Sequence, residues 1–319
     1  MGHKRVLIIA YYFPPLGMGG VQRTAKFVKY LPQFGWKPYV LTVKDVEYMA
    51  KDPSLLDEVS PKAQIIRTGS FDPLRILFLA KKVLGKTEGT RAAKDSIGKS
   101  RGFSWLFFPD NKVGWVPFAV RKAISLCRRE KIDLIFSSSP PPSVHLAAYL
   151  IRRATGTPWV ADFRDPWIGY KLEKPPTPLH LFFKRRLEKT IVSCADRVVT
   201  ANPVIQTELK SAHPQAKSIG LIDQGYDEED FRELVSTTPD AFTIGYLGTF
   251  SPDCNPRPVL RALGELISKN LLPKDKVRFL QAGGSVHMDV RRLAKEGGSS
   301  EVLETEGYLP HRQALARMA

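Results

Sequence analysis

Residues 6–43 read VLIIAYYFPPLGMGGVQRTAKFVKYLPQFGWKPYVLTV. An unbroken apolar run over 6–12 gives way to a Pro and Gly loop, then to apolar positions at helical spacing over 21–33, then to a second apolar run over 39–43. A strand apolar on both faces, an amphipathic helix and another such strand make the right-handed βαβ unit of a parallel sheet. The alternation continues downstream. Strands are predicted over 64–68, 132–137, 159–162, 197–200 and 218–222, and helices over 117–130, 143–154, 179–194 and 203–211. Residues 87–102, rich in Lys, Arg, Gly and Ser, read as loosely structured. VSTTPD at 235–240 reads as a linker. Beyond it, strands over 242–247, 277–281 and 301–304 alternate with helices over 257–269, 287–295 and from 310 onward. The expectation is α/β, with a domain over 1–234 and a second, unfinished one over 241–319. With 319 residues, 43% of them hydrophobic, the chain is long enough for both cores.

The stretch PWVADFRDPW, residues 158–167, turns abruptly from a buried strand into charge. A core rejects Asp162, Arg164 and Asp165 unless they are paired, so they belong at the strand's carboxyl end. In open α/β sheets that edge binds ligands, and two acids with a guanidinium suit a hydroxyl-rich or phosphorylated one. The structural alternative pairs Arg164 with Asp162 or Asp165 to pin the loop, with Trp167 as a core plug. In the first loop, Gly17, Gly19 and Gly20 precede a helix whose first amides are free to meet an anion. Gln22 stands where a dinucleotide fingerprint needs its third Gly, which argues against an NAD site. SSSPPPSVH places His145 in the first turn of a helix near the same edge, as a candidate proton acceptor or as an ordinary half-buried side chain. GYDEEDF at 225–231 lacks the ligand spacing of a calcium loop, and no His, Cys or acidic pattern elsewhere supports a metal.

The 48 basic and 32 acidic residues leave a net charge of +16. Residues 236–319 hold 11 of the basic and 9 of the acidic ones, so +14 belongs to the first part. Residues 75–131 alone carry 14 basic against 4 acidic residues, which points to an anionic partner. The segment FDPLRILFLAKKVLGK at 71–86 is apolar and basic, and either packs as an ordinary core helix or lays Phe71, Leu74, Leu77, Phe78 and Leu79 into a membrane interface with Lys81, Lys82 and Lys86 at the headgroups. No run is long enough to span a bilayer, and the N-terminus reads as a strand rather than a signal peptide. Basic charge without any RRM, KH, zinc-finger or helix-turn-helix signature argues against nucleic acid. Three widely spaced cysteines fit a reducing cytosol.

In chain order, FPPLGMGGVQR, SPPPSVHLAA, VADFRDPW, LEKTIVSCADRVVTANP, the GYD segment, IGYLGTFSPDCNPRPVLRAL and GYLPHRQALARM resemble group 1 glycosyltransferases of family 4, in a subgroup carrying FRDPW. The resemblance covers almost the whole chain. It implies a GT-B architecture of two Rossmann-like domains facing across a cleft, with the acceptor on the first and a nucleotide-sugar on the second. It further implies transfer with retention, no essential metal or other cofactor, and a saccharide or lipid-linked acceptor for bacterial surface polysaccharide or glycolipid, handled in the cytoplasm or peripherally at the inner membrane face. Carried over, Gly19 and Gly20 match the glycine loop near the leaving phosphates. Arg164 and Asp165 fall where relatives carry a His facing the acceptor, making Asp165 the first candidate base and His145 the second, with Arg164 an anchor or phosphate contact. Gly248 and Thr249 match the loop opening the donor domain, and Arg257 is the nearest replacement for the cations found there. Relatives continue past the GYLPH helix to a pair of glutamates that grip the donor. The expectation is therefore a chain that transfers sugar weakly or not at all, and the alternative function is a non-catalytic, membrane-associated acceptor-binding module.

Overall fold

The structure, a computed structural model, describes residues 3–48, 50–83, 107–169, 177–232, 234, 240–285 and 288–319. The chain divides into two compact units, Met1–Tyr226 and Asp227–Ala319. That division falls upstream of the linker expected over 235–240, of which residues 235–239 lie outside the described residues, as does the segment 87–102.

Unit 1 is a parallel sheet in the order β3-β2-β1-β4-β5-β6-β7, formed by β1 (Lys4–Ile9), β2 (Trp36–Val43), β3 (Gln64–Thr68), β4 (Leu134–Ser139), β5 (Trp159–Phe163), β6 (Arg197–Thr200) and β7 (Ile219–Leu221). Its helices are α1 (Gly19–Tyr30), α2 (Pro53–Val59), α3 (Pro73–Val83), α4 (Val116–Glu130), α5 (Pro142–Thr155), α6 (Pro178–Cys194) and α7 (Pro203–Ala212). The unbroken apolar run at the start has a direct cause. Leu7, Ile9 and Tyr11 face one core, with Trp115, Ile135 and Trp159, while Val6, Ile8 and Ala10 face a second, with Ala25, Val28 and Val40. A strand covered on both sides has no solvent face to make polar.

The sheet order reverses between β1 and β4, so the chains leaving those two strands diverge at their carboxyl ends and open the crevice where such sheets bind ligands. Gly19 and Gly20 follow β1 and His145 follows β4, the two strands that flank the crevice, while Arg164 and Asp165 follow β5, one strand further along.

Sequence periodicity missed α2, a short helix that Asp52 starts by accepting the Ser54 N–H at 3.1 Å and that buries Leu55 and Val59. The predicted membrane-facing segment at 71–86 is α3 in its described part. Its Phe71 ring packs edge-on against Phe118, and Leu77 and Phe78 are half-buried, while Ile76, Leu79 and Val83 are exposed. The side chains of Leu74 and Lys81, and residue 86, lie outside what the structure describes. No helix among the described residues is long and apolar enough to cross a membrane.

Unit 2 holds a second parallel sheet, in the order β10-β9-β8, from β8 (Phe242–Leu247), β9 (Val277–Ala282) and β10 (Leu303–Glu306), with α8 (Arg257–Ser268), α9 (Val290–Gly297) and α10 (His311–Ala316). The last strand begins at Leu303 rather than 301 because Ser300–Val302 forms a tight 3-10 turn that buries Val302. Helix α9 starts at Val290, where Asp289 accepts the Arg292 N–H at 3.2 Å. Gly264 of α8 lies against α9, and a Cβ there would stand 1.8 Å from the Gly297 carbonyl oxygen. Only a residue without a side chain permits that approach.

Candidate active site

The charged end of β5 sorts its three ions into different tasks. Asp162 is fully buried and pairs with Arg23 of α1 through two bonds, Nε to Oδ2 at 3.1 Å and Nη2 to Oδ1 at 2.9 Å. Ser138, its register partner on β4, donates to Oδ2 at 2.7 Å. A buried carboxylate that accepts a bidentate guanidinium and a hydroxyl is fully committed. Asp162 therefore fixes α1, and the glycine loop before it, to the end of β5. The sequence reading that paired Asp162 with Arg164 gives way to this one, since it is Arg23 that reaches the carboxylate.

Arg164 turns toward β4 instead. Its Nε donates to the Ser139 carbonyl at 3.1 Å and its Nη2 to the Pro140 carbonyl at 2.9 Å. The third nitrogen, Nη1, is buried with no hydrogen-bond partner. It lies beside the glycine loop, 3.5 Å from where a Cβ on Gly20 would stand. Burial depresses the guanidinium pKa, which the charges of Asp162 and Asp165 partly oppose. Helix α1 begins at Gly19 without any side-chain cap, and Met18 before it holds φ 74° and ψ 161°, a left-handed conformation strained for a residue with a side chain. Of its first-turn amides, Val21 donates to the Met18 carbonyl at 3.1 Å, while those of Gly19 and Gly20 have no intrahelical carbonyl to meet. A buried N–H and an uncapped helix start converge there on one anion-sized demand.

Asp165 is half-buried, and its carboxylate makes no hydrogen bond among the described residues. Burial raises its pKa and the neighbouring Arg164 charge pulls it back only in part. A carboxylate so placed has no structural duty among the described hydrogen bonds.

His145 has the opposite character and corrects the sequence reading. It is fully buried, and Nδ1 lies 2.7 Å from Ser137 Oγ, which itself accepts the Trp159 indole N–H at 2.7 Å. Phe163 and Trp167 flank the ring at centroid distances of 4.7 and 5.5 Å. Burial, aided by the Arg164 charge, pushes its pKa down to about 3. A neutral imidazole enclosed by aromatic side chains cannot touch an incoming hydroxyl, so His145 is a core residue. Trp167 is the core plug that the sequence allowed, 3% exposed, with its indole N–H donated to Ser139 Oγ at 3.1 Å.

Two neighbouring groups were not legible in sequence. Lys112 is 3% exposed with its ammonium over the Tyr11 ring, and Asp110 accepts the Ser143 N–H at 2.6 Å and hydroxyl at 2.8 Å. Asp110 thereby caps α5 from a distant segment, supplying what the proline at the helix start cannot.

Unit 2 has its own strand-end loop. Gly248 follows β8 and its N–H donates to the Ala282 carbonyl at 2.9 Å. Gly283 at the end of β9 packs so close that a Cβ would stand 2.1 Å from the Gly248 oxygen, and its φ of 134° also requires glycine. Thr249 sits between Gly248 and the Tyr246–Phe250 stack, its carbonyl accepting the Tyr246 hydroxyl at 3.3 Å. Arg257 opens α8, its N–H donated to Asn255 Oδ1 at 3.0 Å and its guanidinium paired with Glu296 at 3.2 Å. Gly248 and Thr249 thus share one loop, while Arg257 is engaged with α9.

Two Rossmann-like parallel sheets, the first with a charged strand-end site at its switch point, define a protein of the GT-B class. The chain belongs to Glycosyltransferase Family 4, whose family model matches residues 18–230, and is a glycosyltransferase by that membership. Among solved structures, sucrose-phosphate synthase from Thermosynechococcus elongatus aligns over 98% of this chain and 72% of its own, with 14% identity and a TM-score of 0.62. HepE of Anabaena, solved with UDP and glucose, aligns over 98% and 71% with 13% identity and a TM-score of 0.57. MnaA of S. aureus, solved with UDP, aligns over 98% and 71% with 13% identity and a TM-score of 0.51. No curated protein sequence matches.

Proposed function

We propose that the protein moves a sugar from a nucleotide-sugar to a hydroxyl of a saccharide or lipid-linked acceptor, with retention of configuration and without an essential metal ion. The observation that carries this reading is the Asp165 carboxylate, half-buried, raised in pKa and without a hydrogen bond among the described residues, one residue from a buried guanidinium N–H that also lacks a partner. Asp165 accepts the proton of the acceptor hydroxyl as its oxygen bonds to the anomeric carbon on the same face that the leaving phosphate vacates, which is what retention in one step requires. The bond from that carbon to the leaving phosphate oxygen breaks, and the nucleoside diphosphate departs with the electron pair.

Arg164 Nη1 and the amides of Gly19 and Gly20 meet the phosphate charge that develops, which is the work a divalent cation does elsewhere. In unit 2, Gly248 and Thr249 are assigned to the nucleotide-sugar, in keeping with the UDP held by HepE of Anabaena and MnaA of S. aureus, which share the fold. Arg257 joins them only if it leaves Glu296. The concentration of basic charge in the first part of the chain supports work at an anionic membrane face.

The test is equilibrium titration with a panel of nucleotide-sugars in the presence of a chelator, followed by detection of transferred sugar and of its anomeric configuration. Binding that survives the chelator and a product with the donor's configuration agree with the proposal. Binding that requires added metal, or an inverted product, overturns it.

A further inference from the structure

Helix α6 presents a surface that sugar transfer does not use. Leu179, Phe182 and Phe183 are 61, 58 and 45% exposed, and their spacing of three and four residues sets them on one stripe. The Phe108 ring, itself partly exposed, stands edge-on to Phe183 at 6.0 Å between centroids, and Phe182 contacts Phe183 at 5.4 Å. The three rings therefore pack on one another, with the exposed Leu179 on the same helical stripe. Arg186 continues the stripe by one turn, with Arg185 and Lys189 beside it, all exposed. Helix α6 carries a single acid, Glu188, which is buried and held by His213 at 3.0 Å. The outward face of the helix is thus aromatic and cationic, with no negative charge.

Rings exposed to this degree in a contiguous group mark an interaction surface. Aromatic rings and arginines are common at protein interfaces too, so the occupant is set by the sign of the charge, which is positive throughout with no acid on the outward face. Apolar rings at one end of a helix and arginines along the rest match the boundary between acyl chains and anionic headgroups. We propose that Phe108, Leu179, Phe182 and Phe183, with Arg185, Arg186 and Lys189, are the surface by which unit 1 docks on an anionic phospholipid bilayer. Because α6 follows the loop leaving β5, its first turn lies at the same carboxyl edge of the sheet as Asp165. Docking there brings that edge to the bilayer. This orientation deepens the transferase reading and rests on it only for its purpose, since the surface binds lipid whether or not sugar is transferred.

The experiment is co-sedimentation of the protein with vesicles of phosphatidylcholine alone and of phosphatidylcholine with phosphatidylglycerol, at low and high salt. The unmodified protein is expected to bind only the anionic vesicles, and less at high salt. Phe182→Ser with Phe183→Ser should lower the partition coefficient about tenfold or more, from the apolar burial lost. Arg185→Glu with Arg186→Glu should lower it comparably and remove most of the salt dependence. Ile76→Ser with Leu79→Ser on α3 should leave it within about twofold, a contrast that depends on the α6 stripe being the inserted one. All six positions are exposed, and unchanged circular dichroism confirms that the variants fold. The proposal is overturned if the unmodified protein ignores anionic vesicles or if only the α3 variant loses binding. It is equally overturned if light scattering shows a concentration-dependent dimer that the Phe182 and Phe183 changes abolish, since a second copy would then occupy the face. Loss of the transferase reading with vesicle binding intact would leave this surface standing.

Discussion

The imidazole of His145 stays neutral in the folded protein to about pH 3, whereas in an unfolded chain it protonates near its ordinary value of 6.5. Between those values the unfolded state binds the extra proton, so stability is full above about pH 6.5 and declines as the pH falls toward 3. The expected slope is about 1.4 kcal/mol per pH unit, read from urea midpoints at a series of pH values, and His145→Gln should flatten it. Asp165 predicts a different limb. Its pKa is raised by burial, so the active carboxylate form is lost at a higher pH than an ordinary aspartate would require. The acid limb of kcat should lie above that of a solvent-exposed carboxylate, and a limb at the ordinary aspartate position would remove Asp165 from the base role. The position of Asp165 just beyond the end of β5 was legible in the sequence because a buried strand must eject its unpaired charges at its end. The fate of His145 was not, since Ser137 and Trp159 belong to strands that become neighbours only once the sheet order is known.

Between elements, the Arg23–Asp162 pair is the clamp that sets α1 against β5. Asp162→Asn leaves the Arg23 charge buried without its counterion, and should cost about 3–5 kcal/mol in unfolding free energy. A loss below about 1 kcal/mol would mean that Arg23 reaches solvent. The pair eluded sequence reading because its members are distant in the chain and the nearer Arg164 offered an obvious partner. The capping of α5 by Asp110 was hidden in the same way, since cap signals are sought beside the helix and this one arrives from another segment. Strands with both faces covered were easy to place, but their ends moved: β1 is Lys4–Ile9 against the expected 6–12, β2 begins at Trp36 rather than 39, and β4 is Leu134–Ser139 against 132–137. The β10 shift and the missed α2 arose where a turn of three to seven residues carries too few apolar positions to show a period.

At the scale of the whole molecule, the two units have separate cores. The core of unit 2, built on Leu260, Leu263, Val277 and Phe279, contains far fewer residues than the two cores of unit 1. Differential scanning calorimetry should resolve two transitions rather than one cooperative event. Gly264→Ala, which drives a methyl group into the Gly297 carbonyl, should lower the transition of unit 2 by about 10 °C or more and leave that of unit 1 in place. A single transition that shifts as a whole would contradict the division. The division into two α/β units was legible from the alternation of elements, whereas the pairing of Arg257 with Glu296 depended on the packing of α8 against α9. The central claim is that the end of β5 activates the acceptor. Its most direct test is the rate of sugar transfer by Asp165→Asn relative to the unmodified protein, with nucleotide-sugar affinity measured on both. The account predicts a fall of about 10²-fold or more in rate with donor affinity unchanged, and transfer by Asp165→Asn at the unmodified rate would contradict it.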